Sequence, residues 1–109
     1  MQTLERRHTN RANVVIAVEV RDARGFALYS TRDVSSGGVF FDRAIPHTVG
    51  ERVQLSFQLP GEEKAIRCNG VVANVPDATD FGMGIRFLDL APADAARLDA
   101  FTRTVLEPE

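Results

Sequence analysis

From Arg52 to Leu59 the chain alternates without a break: Val53, Leu55, Phe57 and Leu59 on one parity, Arg52, Gln54, Ser56 and Gln58 on the other. A period of two marks a strand with one wet face and one buried face. A chain made of such strands must bury one side of its sheet and protect its edges, which favours a sandwich or a closed barrel. Asn13 to Arg21 repeats the pattern, with Val14, Ile16, Val18 and Val20 on one face and Val15, Ala17 and Glu19 on the other. Phe26 to Arg32 and Val39 to Asp42 supply two further strands. Lys64 to Val75 is long for one strand, and its apolar parity passes from Ile66 and Cys68 to Val71, Ala73 and Val75. A bulge at Asn69-Gly70 would produce that switch. The last strand sets Phe81, Met83, Ile85 and Phe87 against Gly82, Gly84 and Arg86. Paired glycines on one face suit the close approach of another backbone or a tightly curved wall.

The connections between these runs are turn-forming: Asp22-Ala23-Arg24-Gly25, a loop from Ile45 to Glu51 with Pro46 and Gly50, and Pro60-Gly61. After Leu90 the period changes. Pro92 fits the first position of a helix running to about Leu106, Asp94 suits its first turn, and Leu98, Phe101 and Val105 form an apolar stripe. Ala91 stands where a capping side chain would serve better. The expected fold class is all-β with one C-terminal helix, a six-stranded antiparallel β-barrel. A single domain spans residues 1–109: a flexible arginine-bearing segment over 1–12, the barrel over 13–89, and the helix over 91–106.

The composition removes several classes. No apolar run is long enough for a transmembrane helix, and Met1 to Arg7 has no apolar stretch after its charges, so neither membrane insertion nor a secretory leader is expected. The chain reads as cytoplasmic. Cys68 is the single cysteine, which rules out an internal disulfide and suits a small buried hydrophobe. His8 and His47 lack metal-binding spacing, and no nucleophile–base pair or carboxylate pair stands out, so neither a metal nor an enzymatic activity is expected. The net charge of -2 and the absence of tryptophan argue against a nucleic-acid polymer as ligand. The charge is unevenly spread, with arginines in excess up to Ser35 and acids in excess beyond it. A basic end on an acidic domain suits a small anion.

Two stretches concentrate polar chemistry. Arg6-Arg7-His8-Thr9-Asn10-Arg11 precedes the first strand, and Asp33-Val34-Ser35-Ser36-Gly37-Gly38 lies between the second and third. The first fits RxxxR and the second [D/N]xSxxG. With both present in that order, the sequence resembles the PilZ domain family, bacterial receptors for the second messenger cyclic di-GMP. The strand spacing, the run Gly82-Met83-Gly84-Ile85-Arg86-Phe87-Leu88 and the closing helix look like that family too, so the likeness covers nearly the whole chain.

The resemblance implies a barrel that holds the nucleotide on its outer surface, beneath a loop carrying the first motif. Arg7 and Arg11 would bind guanine and phosphate, with Asp33, Ser35, Gly37 and Gly38 completing the pocket. The chemistry is suitable: a guanidinium matches the O6/N7 edge of guanine and the phosphate oxygens, and a carboxylate can accept from the opposite edge of the base. Arg6, directly before the motif, goes in this family with an intercalated pair of ligand molecules. The implied function is a cyclic di-GMP receptor without catalysis or other cofactor, which changes conformation on binding and signals to a protein partner. The alternative is a PilZ-like adaptor that binds protein and no nucleotide. For the arginines alone a solvated basic tail is the competing reading, for Asp33 and Ser35 a local Asx-type turn, and Arg86 is either a ligand contact or a surface residue.

Overall fold

A computed structural model describes residues 11–45, 47–76 and 81–106. Six strands and one helix follow in order: β1 (Ala17–Asp22), β2 (Gly25–Val34), β3 (Gly38–Phe41), β4 (Arg52–Phe57), β5 (Ile66–Asn74), β6 (Met83–Phe87) and α1 (Pro92–Leu106). The strands close into a barrel in the order β1-β2-β3-β6-β5-β4, and every neighbouring pair is antiparallel. Closure leaves no long open edge of the kind that templates aggregation. The expected fold class and strand number are both found.

The alternation decides what lies inside. Val53, Leu55 and Phe57 of β4 face the interior, where they meet Val18 and Val20 of β1, Ile66 and Val72 of β5, and Met83, Ile85 and Phe87 of β6. Leu98 of α1 is fully buried in the same cluster. The helix is tied to the β4–β5 loop by Arg97, which donates to Glu62 Oε1 at 2.9 Å and to the Lys64 carbonyl at 2.6 Å. That loop turns at Leu59-Pro60-Gly61-Glu62, where the Glu62 N–H reaches the Leu59 carbonyl and Gly61 takes the positive φ of 83° that a type II turn requires.

Four expectations need correction. The first strand begins at Ala17 and not at Asn13. Over 14–16 the ladder gives way to the buried Thr31 side chain, whose Oγ1 accepts from Ile16 N at 2.9 Å and donates to the Val14 carbonyl at 2.6 Å. In β5 the parity never switches at Asn69-Gly70: pairing with β4 is continuous from Arg52↔Val71 to Phe57↔Ile66. Gly70 occupies an inward position, where a Cβ would lie 2.6 Å from Ile85 Cγ2 and 2.9 Å from Leu55 Cδ1. A glycine at an inward site erased the apolar signal there and mimicked a slip. The real irregularity lies further on, between Val72 and Asn74.

The third correction concerns β6. Phe81 precedes the strand, is exposed and has a φ of 55°, while Met83, Ile85 and Phe87 do face inward. In the helix, finally, Thr102 and not Val105 continues the buried stripe of Leu98 and Phe101. Thr102 tolerates burial because its hydroxyl donates to the Asp99 carbonyl at 3.1 Å. Among the described residues, no helix is long and apolar enough to cross a membrane.

Candidate functional site

The polar stretch between β2 and β3 is more strand-like than its composition suggests. Asp33 and Val34 are the last residues of β2, and Val34 exchanges two backbone hydrogen bonds with Ala12 (2.9 and 3.0 Å). That bridge fastens the segment ahead of β1 to the barrel wall. It places Arg11 so that its Nη1 donates to Asp33 Oδ1. The two motifs, separated by most of β1 and β2 in sequence, therefore share an ion pair. Arg6 and Arg7 lie outside the described residues.

Asp33 has a second basic neighbour. Between Thr31 and Asp33 the β2–β3 register shifts by one residue, which leaves Arg32 as the extra residue of a bulge. Arg32 Nε lies 3.3 Å from Asp33 Oδ2, and its Nη1 lies 3.6 Å from Asp42 Oδ1. The Asp33 side chain is 7% exposed, whereas those of Arg11 and Arg32 are about half exposed. A buried carboxylate is thus flanked by two arginines that retain a face toward solvent. Burial with this pairing avoids the penalty of an isolated ion.

Ser35, Gly37 and Gly38 build the turn that follows. Ser35 is fully buried and its Oγ accepts from the Gly37 N–H at 3.0 Å, while Ser35 N donates to the Gly38 carbonyl at 2.9 Å. The Gly37 carbonyl accepts from Phe87 N at 2.9 Å. Gly38 pairs with Arg86, and a Cβ on it would lie 2.1 Å from the Ile85 carbonyl oxygen. The serine and glycines therefore seat β3 against β6, a role the sequence did not disclose.

Beside this turn the outer wall of the barrel carries an open groove of about 1040 Å³, lined in part by Arg11, Arg32, Asp33, Arg43, Asn74 and Arg86. Both bulged positions, Arg32 in β2 and Ala73 in β5, lie on its lining. Bulges commonly re-aim side chains beside functional sites. Four arginines face two carboxylates, Asp33 and Asp42, so the groove carries an excess of positive charge although the chain is acidic. Its floor is aromatic: Phe40 lies on the outside of the barrel, over Gly82 and Gly84. A Cβ at Gly82 would stand 2.8 Å from the Phe40 ring, and one at Gly84 3.2 Å from it. Gly82, just ahead of β6, and Gly84 within it thus make room for a ring and not for a backbone.

Of the sequence candidates, Arg11 and Asp33 line the groove, and Ser35, Gly37 and Gly38 stand beside it as its structural support. Arg86 also lines it. Sequence reasoning missed Arg32, Phe40, Arg43 and Asn74. For Phe40 a signal existed, because adjacent phenylalanines in a strand must point to opposite faces. Phe41 is buried, so Phe40 had to be outside.

Two other clusters lie apart from the groove. Asp22, His47 and Glu51 offer ligand atoms within 4.8 Å of one another, but Arg24 already donates to both Asp22 Oδ2 and Glu51 Oε2 at 2.9 Å. The Asp22 carboxyl is held down to about 2, first by its hydrogen bond with His47, then by the Arg24 N–H and guanidinium. Cys68 is half-buried and packs against the core, and burial, with Asp89 and Asp94 nearby, pushes its thiol up to about 12. A thiol so poised is a poor nucleophile.

Comparison with known proteins agrees with the fold. Residues 5–104 match the family model of the PilZ domain. A search of curated proteins gave no match. Among solved structures, the inhibitor of motility MotI/DgrA of Bacillus subtilis superposes with a TM-score of 0.79 at 21% identity, covering 100% of this chain and 55% of that one. The chain thus spans just over half of that protein. The PilZ domain of YcgR from Escherichia coli, solved with c-di-GMP, gives a TM-score of 0.69 at 17% identity, covering 93% and 92% of the two chains. The PilZ domain of CeSA from a cellulose-synthesizing bacterium gives 0.61 at 19%, covering 88% and 94%. With the family model spanning nearly its whole length and the same barrel in its structural neighbours, the chain belongs to the PilZ domain family.

Proposed function

We propose that this chain is a cyclic di-GMP receptor, with the groove over β3 and β6 as its binding site. The observation that carries the reading is the meeting of the two motifs: Arg11 of the first bonded to Asp33 of the second, at an arginine-rich groove. The ligand has two phosphates and two guanines. The four arginines of the groove supply bidentate donors for phosphate and for the O6/N7 edge of guanine, and Asp33 supplies an acceptor for the N–H edge. Arg6 and Arg7, on the segment that Ala12 anchors to Val34, would close over the ligand from the side of Arg11. Contacts of Arg6 and Arg7 with the ligand would change the surface presented to a protein partner, which is how a binding domain without catalysis transmits a signal. Arg6 favours an intercalated pair of ligand molecules.

Isothermal titration of the protein with cyclic di-GMP tests the reading. Saturable binding with two ligands per chain is expected, weakened roughly ten- to hundred-fold by Arg11→Ala, in keeping with the loss of one bidentate contact. An endpoint of one ligand per chain would refute the intercalated pair alone. The absence of heat and of any thermal shift at excess ligand would refute the receptor and leave the nucleotide-free adaptor.

A further inference from the structure

The groove contains a layered arrangement that neither motif includes. Its lowest layer is the backbone at Gly82, just ahead of β6, and at Gly84 within it, bare of side chains where Phe40 lies across them. The Phe40 ring is the second layer. The Arg32 guanidinium is the third, with its Cζ 4.2 Å from the ring centroid. Carboxylates hold this guanidinium at its edge, Asp33 at 3.3 Å from Nε and Asp42 at 3.6 Å from Nη1. One face is therefore occupied by an aromatic ring and the edge by two acids. The Arg32 side chain is half exposed and lines the groove, so among the described residues it keeps surface open to a further layer.

We propose that Arg32, seated on Phe40, is a stacking platform that reads a planar purine base and so determines specificity at this site. The inference rests on the receptor reading above and extends it to a residue outside both motifs. A guanidinium is planar and weakly hydrated, and its broad face stacks on aromatic rings and on bases, whereas lysine presents a compact, strongly hydrated point charge. The bulge between Thr31 and Asp33 is what brings Arg32 over the ring, since the residue at a bulge escapes the alternation of the strand. The neighbouring Asp33 lies at one end of the platform, where its Oδ2 accepts from Arg32 Nε at 3.3 Å and its Oδ1 accepts from Arg11. Arg32 would then read the face of one guanine, with Asp33 holding the guanidinium in place.

The test separates plane from charge. Titrations at fixed ionic strength would use cyclic di-GMP and cyclic di-UMP, which shares the phosphodiester ring but carries smaller pyrimidines. Arg32→Lys keeps the charge and is expected to weaken cyclic di-GMP roughly five- to thirty-fold, the range of a cation–π or stacking contact. Its effect on cyclic di-UMP should be smaller, so that the purine preference shrinks. Phe40→Leu should reproduce that loss of preference with Arg32 intact, and an unchanged thermal midpoint for Arg32→Lys establishes that the fold is intact. Equal affinity of wild type and Arg32→Lys for cyclic di-GMP, or an equal loss for both ligands, would overturn the platform and leave the receptor reading standing. Failure of the wild type to bind cyclic di-GMP would overturn both.

Discussion

Gly38 and Ile85 approach each other so closely that a Cβ on Gly38 would lie 2.1 Å from the Ile85 carbonyl oxygen, inside any permitted contact. The obstacle is backbone in the middle of β6, which cannot swing aside as a side chain tip would. The glycine that closes the second motif is therefore demanded by the β3–β6 seam, whatever it does for a ligand.

Replacing Gly38 by alanine should accordingly destabilise the domain. Overpacking of this kind costs about 3 kcal/mol, a large share of the ordinary stability of a small domain. Chemical denaturation of Gly38→Ala should show a lower midpoint than wild type in the absence of any ligand. An unchanged midpoint would mean that β3 and β6 separate readily.

The acid limb of stability should carry the signature of Asp22. Its folded carboxyl titrates at about 2 against an ordinary value of 3.8, chiefly through the hydrogen bond with His47. A depressed carboxylate contributes fully above its unfolded value and loses that contribution as pH falls through the folded one. The wild-type denaturation midpoint should therefore drop more steeply between about pH 5 and 2 than that of Asp22→Asn. Asp89, also held low by Asn69, acts in the same sense in both proteins, so the comparison between them isolates Asp22. Parallel curves for the two proteins would contradict the assignment.

Much of the fold was legible because alternation is a strictly local signal. The run from Val53 to Leu59 announced its inward face, and all four apolar residues are buried. The failures share one cause, which is that the deciding partner is remote in sequence. Gly70 is inward because Ile85 and Leu55 leave no room for a side chain, a fact no window around Gly70 contains. Asn13 to Ile16 alternates well, yet the Thr31 hydroxyl interrupts its ladder, leaving the backbone bond from Thr31 N to the Ile16 carbonyl at 3.0 Å. At the site the motifs identified Arg11 and Asp33, residues chosen for polar chemistry. Arg32 escaped notice because its placement depends on a register shift, which strand composition does not encode.

Asp33 is the carboxylate that the second motif brings to the groove. Asp33→Ala removes both acceptor oxygens and the charge that Arg11 and Arg32 share. Affinity for cyclic di-GMP should fall roughly ten- to hundred-fold, since no oxygen remains to accept from the N–H edge of guanine, whereas Asp33→Asn, which keeps an acceptor and still fits the motif, should lose less. Fluorescence or calorimetric titration measures it directly. An alanine variant that binds as well as wild type would show that Asp33 makes no contact with the ligand.

The central claim is that the outer wall of β3 and β6 receives the ligand, and backbone amide mapping by NMR tests it most directly. Titration with cyclic di-GMP should shift the amides of Arg11, Arg32 to Val34, Val39 to Phe41 and Gly82 to Arg86, and leave those of β4 near their free positions. Shifts centred on β1 and β4, or no shifts at saturating ligand, would contradict the account.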